Sequence, residues 1–113
     1  MLIKKSETKE HQNSPNCTAW EHNHPTNNLS YATVSINGRY PEIKRVTNLE
    51  CEEIIFVISG TGTIHSEKGD FEISQGDSYH FEKREKYYIE GNNLLLGITN
   101  APKWTFEQYK EVD

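Results

Sequence analysis

Apolar and polar residues alternate along most of this chain in short runs, and Gly, Asn and Pro cut the runs at intervals too short for helices. Leu29 to Ile36 sets Tyr31, Thr33 and Ser35 against Ala32, Val34 and Ile36. That two-residue period is the mark of a strand, whose side chains point to alternate faces. The run stops at Asn37-Gly38, a pair that tolerates positive φ and predicts a turn. Cys17-Thr-Ala-Trp20 predicts an earlier strand, closed by the turn-rich stretch 22–28 around Pro25. Residues 42–49 predict another. Residues 63–66 and 71–74 pair across the hairpin signal Glu67-Lys-Gly-Asp70, with Gly60-Thr-Gly62 turning into the first of them. Strands follow at 78–82, after Gln75-Gly-Asp77, and at 87–90 and 93–98 around Gly91-Asn-Asn93. Residues 101–109 leave room for one helical turn packed over a barrel end. No helix-length segment has a 3.6-residue pattern, and no internal repeat is visible. Residues 1–16 read as a polar lead-in and residues 17–113 as one all-β barrel or sandwich domain.

The strongest strand runs from Glu53 to Ser59. One face carries Glu53, Ile55, Val57 and Ser59, the other Ile54, Phe56 and Ile58. A strand with one wet face alternates apolar and polar, so this one is expected to be covered on both sides. In a thin barrel the second cover comes from elsewhere in the chain or from another subunit, and a homodimer is the simpler source.

Composition narrows the choices. With 113 residues there is room for a single core. Hydrophobic residues make up 34% and charged residues 26%, with twelve aromatics spread along the length, so the chain is ordered. The formal charge of −5, with no basic cluster, argues against nucleic acid and anionic membrane as partners. Cys17 and Cys51 form neither a disulfide framework nor a zinc motif and are expected to be free thiols. Met1-Leu-Ile-Lys-Lys-Ser holds too few apolar residues for a signal peptide, and the cytoplasm is the expected location.

Glu53 with Gly60 seven residues later, Gly38 upstream and the Gly76-Asp77 turn downstream resembles the two-motif frame of the cupin superfamily of small β-barrels. The resemblance spans about residues 38–98 and implies a double-stranded β-helix, or jelly-roll barrel. It also implies a metal held by histidines and a glutamate. Here the first-motif histidine places fall on Val46 and Asn48, or on Thr47 and Leu49. Glu82-x-Arg84 stands in for Pro-x-Gly, and Tyr87 occupies the second-motif histidine place. One glutamate with an amide and a phenol is a poor donor set for a transition metal, for zinc or for calcium. No cofactor is therefore predicted; a divalent metal would need non-standard ligands, His80 foremost. His22-Asn-His24 is spaced like a metal-binding pair but lies before Gly38, with Pro25 directly after it, and reads as exposed turn residues.

A lone Glu53 facing an apolar interior needs hydrogen-bond donors or keeps its proton. Its candidate partners are Tyr87, Asn48, Arg45 and Arg39, with Arg39 and Tyr40 aimed at the barrel mouth by the Asn37–Pro41 elbow. Two readings stay open at Glu53: a polar anchor for a small ligand, or a satisfied structural carboxylate. Cupin relatives include dioxygenases, sugar isomerases and epimerases. The expected function is small-molecule binding, with Glu53 and Tyr87 as anchors. The alternative is an enzyme acting on a sugar or small organic acid through the same pair.

Overall fold

In a computed structural model describing residues 1–113, the alternating runs become nine strands. They are β1 Lys9–Ser14, β2 Cys17–His22, β3 Ser30–Tyr40, β4 Arg45–Asn48, β5 Glu52–Ser66, β6 Gly69–Ser74, β7 Ser78–Phe81, β8 Tyr87–Ala101 and β9 Tyr109–Val112. All pair antiparallel in one curled sheet. The path β1-β2-β3-β8-β4-β9 is joined at β8 by β5, which carries β7 at one end and β6 at the other. β8 is thus the spine, bonded to β3 on one edge and to β5 on the other.

Three expected turns are bends within strands. β5 continues through Gly60 and Gly62, β3 through Asn37-Gly38, and β8 through Gly91 to Asn93. The pairing register slips at these places, between Ile36 and Gly38 in β3 and at Ser59 in β5. A bulge of this kind adds a residue to one strand and increases its twist without ending it. Gly60 takes φ +82, a backbone state costly for residues with a side chain. The sheet curls into a barrel because its two longest strands bend here.

Two boundaries also differ from the sequence reading. The strand expected over 42–49 is confined to Arg45–Asn48. The polar lead-in contains β1, which pairs with β2 from Lys9↔Glu21 to Ser14↔Cys17. It is polar because it is an edge strand whose side chains stay largely in solvent.

Inward side chains of β3, β5, β7 and β8 form the core. Ile55, Val57, Ile64, Leu94 and Leu96 are sealed from solvent, with Ile36, Phe81 and Ile89 packed beside them. Each such side chain contributes about 1.5–3 kcal/mol. On the outer face of β5, Ile54 and Phe56 remain 52% and 49% exposed, so this chain does not supply the expected second cover. The C-terminal stretch includes a single 3-10 turn, Phe106–Gln108, and straps one end of the barrel. The Lys103 amide donates to the Asn27 carbonyl at 3.1 Å, the Trp104 amide to Ser30 Oγ at 3.0 Å and the Leu49 amide to the Gln108 carbonyl at 3.0 Å. No helix is long and apolar enough to cross a membrane.

Candidate functional site

Under the strap lies a cavity of about 290 Å³. Its walls are apolar, from Ala19, Val34, Ile36, Ile89, Leu96 and Ile98 among others, and its polar groups converge on Glu53. The inward phase of β5 puts Glu53 two residues before Ile55, so its carboxylate enters the same interior and is only 6% exposed. Asn100 Nδ2, opposite it on β8, donates to Glu53 Oε1 at 2.8 Å. Asn48 Nδ2 on β4 approaches the same oxygen at 3.5 Å. Tyr87, at the far end of β8, reaches the carboxylate from across the barrel because that strand wraps around the core.

Oε1 thus holds both amides, and Tyr87 is the one further side chain that reaches the carboxylate. Glu53 and Tyr87 both line the cavity. A second pair of phenols lies nearby: the Tyr40 and Tyr109 hydroxyls are 2.9 Å apart. Burial pushes the Glu53 carboxyl above its ordinary value of 4.5, against the opposing pull of Asn100, Asn48 and Tyr87. Burial also raises Tyr87 and Tyr109 well above 10, and the neighbouring carboxylate adds to both. The phenols therefore stay protonated and act as donors. Cys17 lines the same cavity, its thiol raised to about 11 by burial despite a contact from Asn13.

Glu53, Asn48, Tyr87 and Tyr40 of the sequence-derived set are brought together. Arg39 and Arg45 are not. Arg39 stacks on the Tyr88 ring at 3.8 Å and donates to the Pro41 and Lys44 carbonyls, outside the barrel. Arg45 is spent on the C-terminus, donating to the Asp113 carbonyl at 3.1 Å. Both arginines fall on the outward phase of their strands. His80 is likewise outward, with Nε2 2.9 Å from Glu52. Sequence reasoning missed Asn100 and Gln108; the C-terminal aromatics Trp104, Phe106 and Tyr109, which suit either a pocket lining or a plug for the core, line the cavity. Asn100 continues the inward phase of Leu94, Leu96 and Ile98 and could have been found by extending that strand; Gln108, on the strap, has no periodicity to reveal it.

No family model matches the chain, and no curated protein is similar to it in sequence. Solved structures are similar in fold. The nucleoside dehydratase Pac13 superposes with a TM-score of 0.88 at 13% identity, over 99% of this chain and 90% of Pac13. A Streptomyces Pac13 variant determined with uridine gives 0.89. KdgF from Halomonas gives 0.76 at 14% identity, over 92% and 96% of the two chains. Oxalate decarboxylase from Bacillus subtilis gives 0.82 at 14%, over 97% of this chain and 32% of that one.

The fold is that of the cupins.

A cupin metal does not fit the residues present here. By motif spacing the histidine places fall on Val46 and Asn48, or on Thr47 and Leu49, and on Tyr87, and none of these side chains is an imidazole. No three His, Cys, Asp or Glu side chains come together in an arrangement that would hold an ion. The five histidines all lie away from Glu53. His11 and His80 pair with surface glutamates, His65 sits between Asp70 and Glu90 outside the barrel, and His22 and His24 line the mouth. A wider groove on the outer surface, between Thr63, Glu72 and Glu90, is polar and shallow and has no inward carboxylate.

Proposed function

We propose that the barrel binds a small, uncharged, hydroxylated organic molecule, with Glu53 Oε2 and the Tyr87 hydroxyl as its polar anchors and no metal. The observation that carries this reading is the half-partnered carboxylate: nearly all of Glu53 is buried, yet both amides fall on one of its oxygens, and the other is left to Tyr87 and a mostly apolar cavity. Such a site recognises a ligand that brings its own hydroxyl or N–H. Charge refines the class. The one lysine or arginine lining the cavity is Lys103, exposed on the strap, whereas Glu53 sits in the floor. A carboxylate or phosphate placed in the floor would meet a like charge with no cation to balance it. A nucleoside is uncharged, carries vicinal hydroxyls and is the class that Pac13 acts on, so uridine is the first ligand to test.

The second reading is catalysis at the same pair, an isomerase, epimerase or dehydratase without a metal. It is favoured by the burial that raises Glu53 toward the range of a working base. Glu53 would accept a proton and Tyr87 would donate a hydrogen bond to the developing negative oxygen.

Calorimetry and thermal shift against uridine, neutral sugars, sugar acids and oxalate test both readings. Uridine or a neutral sugar is expected to bind and to raise the melting temperature. Glu53→Gln is expected to weaken that binding by roughly 10–100-fold, the range for a hydrogen bond to a charged group. Binding of the acids alone would overturn the charge argument. If the wild type also converts the ligand and Glu53→Gln does not, the site is catalytic.

The outer face of β5 supports a second copy of this chain as partner. Ile54 and Phe56, each about half-exposed, share the outward face of β5 and are left uncovered by the fold. Phe56→Glu is expected to convert a dimer to a folded monomer in sedimentation experiments; an unchanged assembly would remove this face from consideration. We place the protein in the cytoplasm, where the free, buried thiols of Cys17 and Cys51 stay reduced.

A further inference from the structure

The polar groups around Glu53 have a fixed sense, and it can be read from side chains that only donate. Backbone amides cannot accept, and the Glu50 and Cys51 amides both point at one end of the buried Gln108 side chain, at 3.1 and 3.3 Å. That end must be Oε1, and Nε2 therefore faces Asn48, 2.8 Å away. The Trp104 indole N–H, also a donor and nothing else, points at the same Asn48 atom from 3.1 Å. Two donors on one atom make it Oδ1. Asn48 must then turn Nδ2 toward Glu53 Oε1, which already accepts from Asn100.

We propose that the C-terminal strap decides which oxygen of Glu53 exchanges a proton with the ligand: Gln108 and Trp104 lock Asn48 as a donor to Oε1, leaving Oε2 as the only proton-carrying oxygen. This rests on the reading of Glu53 as the ligand anchor and deepens it. Oε1, facing two N–H groups, has no acceptor to receive a proton of its own. When the carboxylate takes a proton from a ligand O–H or C–H, the new O–H forms on Oε2 and the bonding pair stays on the ligand. The carboxylate charge disappears in the same step. Gln108 and Trp104 are positioning residues, since both act through Asn48. Without them the Asn48 amide is free to rotate by half a turn, set Oδ1 against Oε1 and let the proton settle on the wrong oxygen.

The other titratable groups facing Glu53 are Tyr87 from β8, Tyr40 from β3, Tyr109 from β9 and Cys51 just before β5. All are protonated when Glu53 titrates and no lysine or arginine is among them, so the amides set the sense of the site.

The test is the titration of Glu53 itself, followed through its carboxyl carbon by NMR in the full chain labelled with ¹³C-glutamate. Glu53→Gln identifies the signal by its loss. Asn48→Leu is expected to raise the midpoint by roughly one pH unit, the scale of one hydrogen bond to a charged group. Gln108→Met, which keeps the volume but removes the donor, should move it in the same direction by a smaller amount. In an Asn48→Leu background Gln108→Met should add nothing further, because its effect passes through Asn48. Trp104→Phe keeps the ring and serves where Gln108→Met fails to fold. A midpoint unmoved in a folded Gln108→Met or Trp104→Phe chain, or an undiminished effect in the Asn48→Leu background, overturns the relay. The titration needs no ligand. A chain that fails to bind uridine but shows these shifts would retain the relay and lose the ligand assignment.

Discussion

Two buried glutamates lie at the two ends of a short run of packed aromatic rings, and they behave in opposite ways. Glu85 is 3% exposed and Glu53 is 6% exposed. Burial by itself would raise the Glu85 carboxyl, but its partners outweigh that. Oε2 accepts from the Ser66 and Tyr79 hydroxyls, each at 2.6 Å, and Oε1 accepts the Glu82 amide at 2.9 Å with Lys68 Nζ 3.6 Å away. Glu85 is consequently held below its ordinary value, whereas Glu53, with amides on one oxygen only, is held above it. Three aromatic rings connect the two ends. Tyr79 packs on Phe81 at 4.6 Å between centroids, and Phe81 stacks on Tyr87 at 4.0 Å. Burying a carboxylate is thus not what makes it available for chemistry. Glu85 has every acceptor direction filled and is structural; Glu53 has been left one short.

The largest expected difference between them is in stability. Glu85→Ala strands two half-buried hydroxyls and a backbone amide, and should cost about 3 kcal/mol in urea denaturation. Glu53→Gln should cost less than about 1 kcal/mol, since it relieves an incompletely solvated charge. Equal costs would dissolve the distinction. A smaller effect is expected in the pH dependence, where the signs are opposite. The lowered Glu85 contributes stability that is complete above 4.5 and is lost as pH falls through its folded-state value. The raised Glu53 makes the folded chain bind a proton more tightly than the unfolded one. Its contribution therefore declines as pH rises from 4.5 through the folded-state value. Glu85→Gln should flatten the acid side of a stability–pH curve, and Glu53→Gln the other side; the reverse assignment would show that the two roles are exchanged. The smallest effect sharpens the comparison at single hydroxyls. Tyr79→Phe deletes a bond to a charged acceptor and should cost about 1.5 kcal/mol. Tyr87→Phe should cost under about 0.5 kcal/mol and show its loss in ligand binding instead.

Much of the fold was legible because alternation survives in every inward-facing run, and Ile55, Val57, Leu94 and Leu96 lie where that period puts them. Its turns were less so. Asn37-Gly38 and Gly60-Thr-Gly62 have the residues of a turn, and nothing local distinguishes a chain reversal from a kink within a continuing ladder. Glu53, Asn48, Tyr40 and Tyr87 were found through spacing and strand phase. Asn100 and Gln108 were not, because they meet Glu53 and Asn48 from 47 and 60 residues away through register that no local pattern records. Arg39 and Arg45 looked suitable as charges beside a carboxylate. The bulge in β3 and the outward phase of β4 turn them away from it.

The bends in β5 and β8 bear on how far a chain of this shape can drift. At Gly60 a side chain would run into the Asn93 carbonyl, at Gly62 into the Glu90 carbonyl and at Gly91 into the Ile36 carbonyl. These are collisions with backbone, which no neighbouring substitution can move aside. The interior is different: no histidine stands at the places that cupin motif spacing marks for one, and the barrel still closes. Descendants of this chain could therefore change a handful of inward side chains, and with them what the interior can hold, and still fold. They could not do so by losing these glycines, which makes three small, chemically silent residues the more durable signature of ancestry.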